Sequence, residues 1–575
     1  MVLAVVSGTV LSHGTEIHVD AGNVVNASSP LIYGACIEDV NHEIYGGLYG
    51  QRLYGESFEE PAPPIRLAGW TTCGGDWLPA ASSISTTANS GAKIVREQPP
   101  FLDGTLEFDI RFTGTTSSSN NAGALVRVRN PGTGADAFDG YEISLASNGT
   151  SILLGRHQQD WKLLKSAAVA VDSSQWQHLS VVLAGARIQV FLNAASSPAI
   201  DCVDAVGLPA GTLGLRTWGA NAQFQNLKTS IGGHAEMHLF DGAPAANVSG
   251  QWDPVQTGGA QVKFSIDSSQ SYNSGRSQCV EFVSGKGTAG VANQGLNRWG
   301  VAVKKGTTYV GRVYLRATGL HGEVTVSLQS LDGAKVYASQ ALSGVTGAWA
   351  KFPYTLVSNA DDGLARFVIS INSPGTLWID QAVLMEPPTG RFQGLPVRED
   401  IANAMVAGKL SFLRYGGTAV NAPEYRWKKM TGDPDRRAQY QGHWHPYTSN
   451  GFGMIEFVAF CERAGIQAAF AINVEETPQD MADMIEYLNG DATSPCGSAR
   501  AADGHPKPYG VKYIEIGNEE VIWGDVAADY DHYVQRFKLL AAAMRQKDPN
   551  LIFINAAWWR GNNTNCERVF KALNG

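Results

Sequence analysis

The grammar of this chain changes at Pro388, and that change limits the possible folds more than any single motif does. From about residue 66 to 387 the text is made of short alternating segments parted by Gly, Ser and Asn. TLEFDIRF, GALVRVRN and HLSVVLAGARIQVFLN come first, then GVAVKKGTTYVGRVYLRA and GTLWIDQAVLMEP. Strict alternation over roughly four to eight residues marks half-buried strands. After Pro388, the apolar strands KLSFLRY, IQAAFAIN, VKYIEIG and LIFINAA are separated by amphipathic helices, the pattern of βα units on a parallel sheet. Thr477-Pro478-Gln479-Asp480 opens one helix with an N-cap, a proline at the first position and an acid at N3. Met481, Met484, Ile485 and Leu488 follow at helical spacing, and Asn489-Gly490 ends it. A longer helix opens near Asp525, with Tyr530, Tyr533, Val534, Phe537, Leu540 and Met544 on one face. One strand of the same sheet lies far upstream, in LIYGACIEDVNHEIYGGLYGQRLYGESFEEP, where a buried strand from Leu31 runs into a loop rich in acids, tyrosine and glycine.

At 575 residues several domains are expected. The expected division is an N-terminal strand and first barrel strand (1–60), a β-sandwich (66–232), a jelly roll (236–387) and an incomplete barrel (388–575). The fold class is therefore multidomain α/β plus all-β: about five of the eight strands of a (β/α)8 TIM barrel, with two inserted β-sandwich or jelly-roll domains. A net charge of −9 without a basic block argues against nucleic acid as partner, and no run approaches the roughly 20 apolar residues of a membrane-spanning helix. The seven cysteines are scattered without a CxxC pair, which argues against zinc. No cofactor is expected. MVLAVVSGTVLSHG reads either as the remnant of a signal peptide or as a first strand; the expectation taken is a secreted or periplasmic protein.

QWQHLSVVLAGARIQVFLN and GTLGLRTWGANAQFQNLK resemble the concanavalin-like, laminin-G-like sandwiches, which implies sugar binding or a spacer role for 66–232. The second β region resembles the jelly-roll carbohydrate-binding modules, which often close on a similar WIDxVxL strand. Trp252, Trp299 and Tyr309 are its candidates for stacking on sugar rings, with core packing as the alternative.

In a (β/α) barrel, chemistry gathers at the carboxyl ends of strands. LIYGACIE ends on Glu38, FLRYGG carries Arg414, FAINVEE ends on Asn473 and Glu475, and YIEIGNEE ends on Asn518, Glu519 and Glu520. Carboxylates among amides and a guanidinium suit acid/base work on a neutral, hydroxyl-rich substrate. Glu520 has no assigned role. Gly442-His443-Trp444-His445 offers an H-x-H pair, but without an acidic or cysteine partner it makes a poor metal site. Trp558-Trp559, at the end of the fifth strand, could wall a sugar site or seal the barrel.

Tyr33-Gly34 through Glu38, then YGGLYG and ESFEEP, together with LRYGG and IGNE, resemble the α-L-arabinofuranosidases of glycoside hydrolase family 51, of the retaining barrel clan. The resemblance covers about 15–60 and 388–575. It implies that Glu519 is the general acid/base, that Asn518 holds the sugar hydroxyl beside the anomeric carbon, and that Glu38 and Arg414 line the glycone pocket, with Thr418 and Asn421 as further contacts. The family reads Arg-x-Pro-Gly-Gly where this chain has RYGGT without the proline. The implied substrate is an arabinose-containing polysaccharide or oligosaccharide.

Retention needs a second carboxylate about 5 to 5.5 Å from the first. In this clan it comes from the seventh strand, whereas only five strands are legible here. Asp525, Asp529, Asp531, Asp548 and Glu567 all fall on helices or their ends. The expectation is a fragment without its nucleophile and without hydrolase activity alone. The alternatives are another retaining clan member, such as a β-xylosidase or endo-glucanase, and a non-catalytic carbohydrate-binding protein.

Overall fold

The computed structural model describes every residue except 1–21, 41, 64, 68, 81–82, 88–89, 98–99, 241, 245, 440, 445–446, 561–563 and 575. The N-terminal signal-or-strand reading and His445 therefore lie outside the described residues.

Five strands form one all-parallel sheet in sequence order: β1 (Gly34–Glu38), β2 (Phe412–Gly416), β3 (Gln467–Ile472), β4 (Tyr513–Glu520) and β5 (Ile552–Ala557). Helices α1 (Glu399–Ala407), α2 (Met454–Ala464), α3 (Pro478–Asn489), α4 (Pro495–Ala502), α5 (Ala527–Arg545) and α6 (Thr564–Asn574) occupy the connections and the end. The side chain of Thr477 accepts from Asp480 N with Pro478 next to it, and Gly490 closes the helix. The long helix starts at Ala527 and buries Tyr530, Tyr533, Phe537, Leu540 and Met544. The upstream strand differs from expectation. Pro30–Ile32 is a 3-10 turn capped by Ser29, and Gly34, Ala35 and Cys36 are exposed, because β1 is an edge of the sheet.

Between β1 and β2 lie two β-sandwiches. In the first, a seven-stranded and an eight-stranded sheet enclose a core that includes Phe108, Tyr141 and Phe224. In the second, two five-stranded sheets enclose Val280, Val313, Phe367 and Leu377. Leu53 and Phe58, from the segment after β1, are buried in this second core, while Val383 and Met385 of its last strand join the core under the parallel sheet. The second sandwich is thus packed into the α/β unit.

Of the two aromatic readings, that packing selects the core for Trp252 and Tyr309. Trp252 is 2% and Tyr309 1% exposed, and the Trp252 indole donates to Gly55 O at 2.8 Å. Trp299 stacks on His42 at 4.1 Å and donates to Pro131 O at 2.8 Å. These rings hold pieces of the protein together. Trp252 and Tyr309 lie in strands and Trp299 caps a 3-10 turn, and alternation does not say which face of a strand is covered.

Candidate active site

The carboxyl end of the parallel sheet is built on a floor of small residues. Registers pair Cys36 with Arg414, Arg414 with Ala469, and Ala471 with Glu515, so these side chains share one face. Across the low Ala469 and Ala471, the Arg414 guanidinium spans two strands and donates from Nε to Glu515 Oε2 at 2.5 Å. Its Nη2 donates to Asn518 Oδ1 at 2.8 Å. Burial opposes the Arg414 charge, and the bond to Glu515 outweighs it and raises the pKa further above the usual range.

Asn518 is 5% exposed and sits in a lattice. Its Nδ2 donates to Asn421 Oδ1 at 3.2 Å, while Asn421 Nδ2 donates to Asn518 O at 3.0 Å and to Glu520 Oε1 at 3.2 Å. Glu520 Oε1 also accepts from Asn518 N at 3.2 Å. Burial raises the pKa of Glu520 above the ordinary carboxyl range. The carboxylate given no role in the sequence thus ties the strand end to the turn Thr418–Asn421. Asn473 braces that turn from β3, donating to Val420 O at 2.6 Å and Ala422 O at 3.0 Å.

Glu519 points elsewhere. The ladder from β4 to β5 runs from Ile516 opposite Asn555 to Glu520 opposite Ala557, so the residues between bulge out of the sheet. Gly517 has φ +91° and Glu519 +48°, a left-handed conformation that costs a non-glycine residue energy and clusters at functional sites. Glu519 is exposed, and its side chain makes no hydrogen bond or ion pair among the described residues.

Glu38 ends β1 on the same face. Its Oε1 accepts from Trp444 Nε1 at 2.8 Å and from Thr418 N. Gly417, at φ +86°, makes room for it: a Cβ there would fall 2.0 Å from Glu38 Cδ. Glu43 Oε2 accepts from Glu38 N at 2.7 Å.

Arg414, Asn421, Asn518 and Glu520 are thus bonded into one unit, with Glu38 beside it and Glu519 standing free. Glu475 is exposed, 3.8 Å from His532 Nε2. Trp558 and Trp559 follow β5 and are 37% and 66% exposed. From the sequence, Glu520 and Trp444 are named without a role and Glu515 is not singled out. The two alanines at spacing two in β3 were the available sign that a long side chain crosses that strand.

Residues 404–570 match the family model described as the α-L-arabinofuranosidase 1 domain, and residues 65–229 match the 3-keto-α-glucoside-1,2-lyase-like domain. Among curated proteins, the chain is 31% identical over 274 residues to α-L-arabinofuranosidase 2 of Arabidopsis thaliana, covering 44% of this chain and 40% of that one. It is 29% identical over 298 residues to an extracellular exo-α-L-arabinofuranosidase of Streptomyces chartreusis, covering 46% and 34%. The chain therefore spans well under half the length of these relatives. Among solved structures, an arabinose-bound α-L-arabinofuranosidase, MgGH51, aligns at TM-score 0.47 and 25% identity over 53% of this chain and 52% of its own. The arabinose complex of the Thermotoga maritima α-L-arabinofuranosidase aligns at TM-score 0.26 and 30% identity, covering 28% and 34%.

Proposed function

We propose that this chain carries the acid/base half of a retaining α-L-arabinofuranosidase of glycoside hydrolase family 51, acting on terminal non-reducing arabinofuranosyl residues of arabinose-containing glycans. The observation that carries the reading is the contrast at the end of β4. Asn518 is held by Arg414 and Asn421, while the adjacent Glu519 is turned out on a bulge with its carboxyl free. In this reading Glu519 protonates the leaving glycosidic oxygen, Asn518 anchors the neighbouring hydroxyl, and Glu38, Arg414 and Asn421 line the glycone pocket. The named relatives support the substrate class.

The parallel sheet is read as five staves of a (β/α)8 barrel, with 1–60 and 388–575 as one catalytic unit interrupted by sandwiches at 66–232 and 236–387. The nucleophile is proposed to lie outside residues 1–575. At this end of the sheet, Glu515 is paired with Arg414, Glu38 is bonded to Trp444, and Glu520 is bonded to Asn421. A secreted or periplasmic location fits the extracellular relative.

The test pairs turnover with binding. The chain alone should not hydrolyse an aryl α-L-arabinofuranoside, yet L-arabinose should perturb the NMR signals of Asn518 and Trp444. Measurable turnover would remove the missing-nucleophile proposal, and absence of any arabinose effect would remove the glycone assignment. Binding of xylose or glucose in place of arabinose would favour another clan member.

A further inference from the structure

The seven-stranded sheet of the first sandwich has a second polar centre, distinct from the β4 end. One face of this sheet enters the core through Ile94, Tyr141, Ile143 and Leu215. The other presents Lys93, Glu142, His157 and Arg216, on strands that pair Lys93 with Arg216 and Glu142 with Gly155, next to His157 in alternation. These four are 0%, 1%, 0% and 4% exposed. Glu142 Oε2 accepts from Arg216 Nη1 at 2.8 Å and lies 3.0 Å from His157 Nε2. Burial alone would raise Glu142; Arg216 and then His157 outweigh it and hold the pKa at about 2.

The loop 130–138 covers this face, and what it places there is specific. Gly134 and Ala135 turn carbonyl oxygens onto Lys93 Nζ at 2.5 Å and Arg216 Nη2 at 3.1 Å. Asp136 brings a carboxylate 3.4 Å from His157 Nδ1 and 3.5 Å from Arg216 Nη2. Phe138 lays its ring on His157 at 4.1 Å. The contribution is therefore two neutral acceptor oxygens, one carboxylate and one flat apolar face.

Phe138 closes an apolar cluster with Val95, Leu125 and Val128 on this face, whereas the polar part of the arrangement adds little stability of its own. Lys93 has no carboxylate within ion-pair distance among the described residues, its Nζ donates to main-chain oxygens and lies 5.5 Å from the centroid of the Phe138 ring, and burial lowers its pKa to about 8. His157 Nδ1 forms no hydrogen bond among the described residues. A buried cation without a close counter-ion is destabilising relative to an apolar side chain of similar size. Take away Asp136, and Lys93 and Arg216 face only Glu142, an excess of one positive charge. Trp161, 40% exposed and 4.9 Å from His157, borders the centre.

We propose that this outer face is a binding site for a sugar acid, a hexuronate, whose hydroxyls, carboxylate and apolar ring face take the places the loop 130–138 fills in the free protein. The cover is held from the far side by the second sandwich, where Asn297 Oδ1 accepts from Thr133 N at 2.7 Å and the Trp299 indole donates to Pro131 O at 2.8 Å. Release of that grip is what opens the site. The proposal is independent of the arabinofuranoside reading.

Calorimetry and 15N NMR on the full chain test it, with D-glucuronate and D-galacturonate as probes and D-glucose and acetate as comparison arms. Asp136→Ala removes the carboxylate of the cover and leaves the four sheet residues in place. It should bind uronate about tenfold more tightly than the wild type, the change expected for one relieved ionic contact. Arg216→Met should abolish binding, and Lys93→Met should abolish it while the melting temperature stays level or rises. Asn297→Ala, which loosens the cover from outside, should strengthen binding in the same direction and substitutes for Asp136→Ala if that variant does not fold. Absence of uronate binding in a cooperatively melting Asp136→Ala or Asn297→Ala protein overturns the proposal. So do equal binding of glucose or acetate and binding that survives Arg216→Met.

Discussion

Arg312 of the second sandwich and Asp435 of the loop after β2 form a two-point ion pair, with Arg312 Nε 2.6 Å from Asp435 Oδ2 and Nη2 2.5 Å from Oδ1. Lys351 Nζ and the Tyr314 hydroxyl join the same carboxylate at 2.9 Å each. Burial opposes the charge on Asp435, and Arg312 outweighs it and holds the carboxyl below its usual range. From there the chain runs to Trp444, which holds Glu38, and to Thr448 and Ser449, which bond Asp39 and Glu56. A β-sandwich thus fixes the loop that orients a candidate sugar ligand.

Asp435→Asn should therefore act at a distance. Arg312 and Lys351 keep some contact with solvent, so the stability loss should be about 2 kcal/mol, below the cost of breaking a fully buried pair. The indole N–H signal of Trp444 should shift at the same time. An unchanged Trp444 signal in a destabilised variant would show that the brace does not reach the site.

Gly417→Ala meets two obstacles at once, the left-handed φ of +86° and a Cβ 2.0 Å from Glu38 Cδ. A loss of about 1 to 3 kcal/mol is expected from the backbone and the displaced carboxylate. Arabinose binding should fall with it. A variant that binds as the wild type would detach Glu38 from the glycone pocket.

Glu519 and Asn518 should separate cleanly by substitution. Glu519→Gln removes no bond among the described residues and should change stability by less than about 0.5 kcal/mol. Asn518→Ala strands Arg414 Nη2 and the Asn421 amide and should cost about 1 to 3 kcal/mol. Chemical denaturation of both variants measures the difference, and similar losses would refute the view of Glu519 as a free group.

Glu60 governs a pH dependence of stability. It is 5% exposed, among the described residues only its Oε2 has a hydrogen-bond partner, Ser249 at 3.2 Å, and burial together with nearby Glu56 raises its pKa to about 8. Between its ordinary value, near 4.5, and about 8, the folded state binds more protons than the unfolded one, so stability falls as pH rises through that window. Glu60→Gln should remove this slope and melt above the wild type at pH 8, with the two close together near pH 5. Parallel melting curves at both pH values would disprove it.

The helix opening at Thr477 was legible because an N-cap, a proline and an acid act within one turn. The strand-end rule brought Glu38, Arg414 and Asn518 onto one short list and the family resemblance added Asn421; the structure brings Arg414, Asn518 and Asn421 into direct contact. The partner of Arg414 was hidden because it lies two strands away, and Glu520 because its bonds run to a turn about a hundred residues upstream. Trp444 acts across 406 residues of sequence, which no local pattern records. Trp252 and Tyr309 read as sugar platforms because alternation identifies a side of a strand without naming its neighbour.

Glu38 and its partner Thr418 are 380 residues apart, and both sandwiches lie between them. On a ribosome adding roughly 5 to 20 residues per second, β1 waits about 20 to 80 seconds for β2. The sandwiches have that interval in which to fold first. When β2 emerges, most of the long chain between the strands is already compact, and a much shorter effective loop remains to be closed. The insertion that interrupts the sheet in sequence thus gathers its two ends, making order of synthesis part of how this site is assembled.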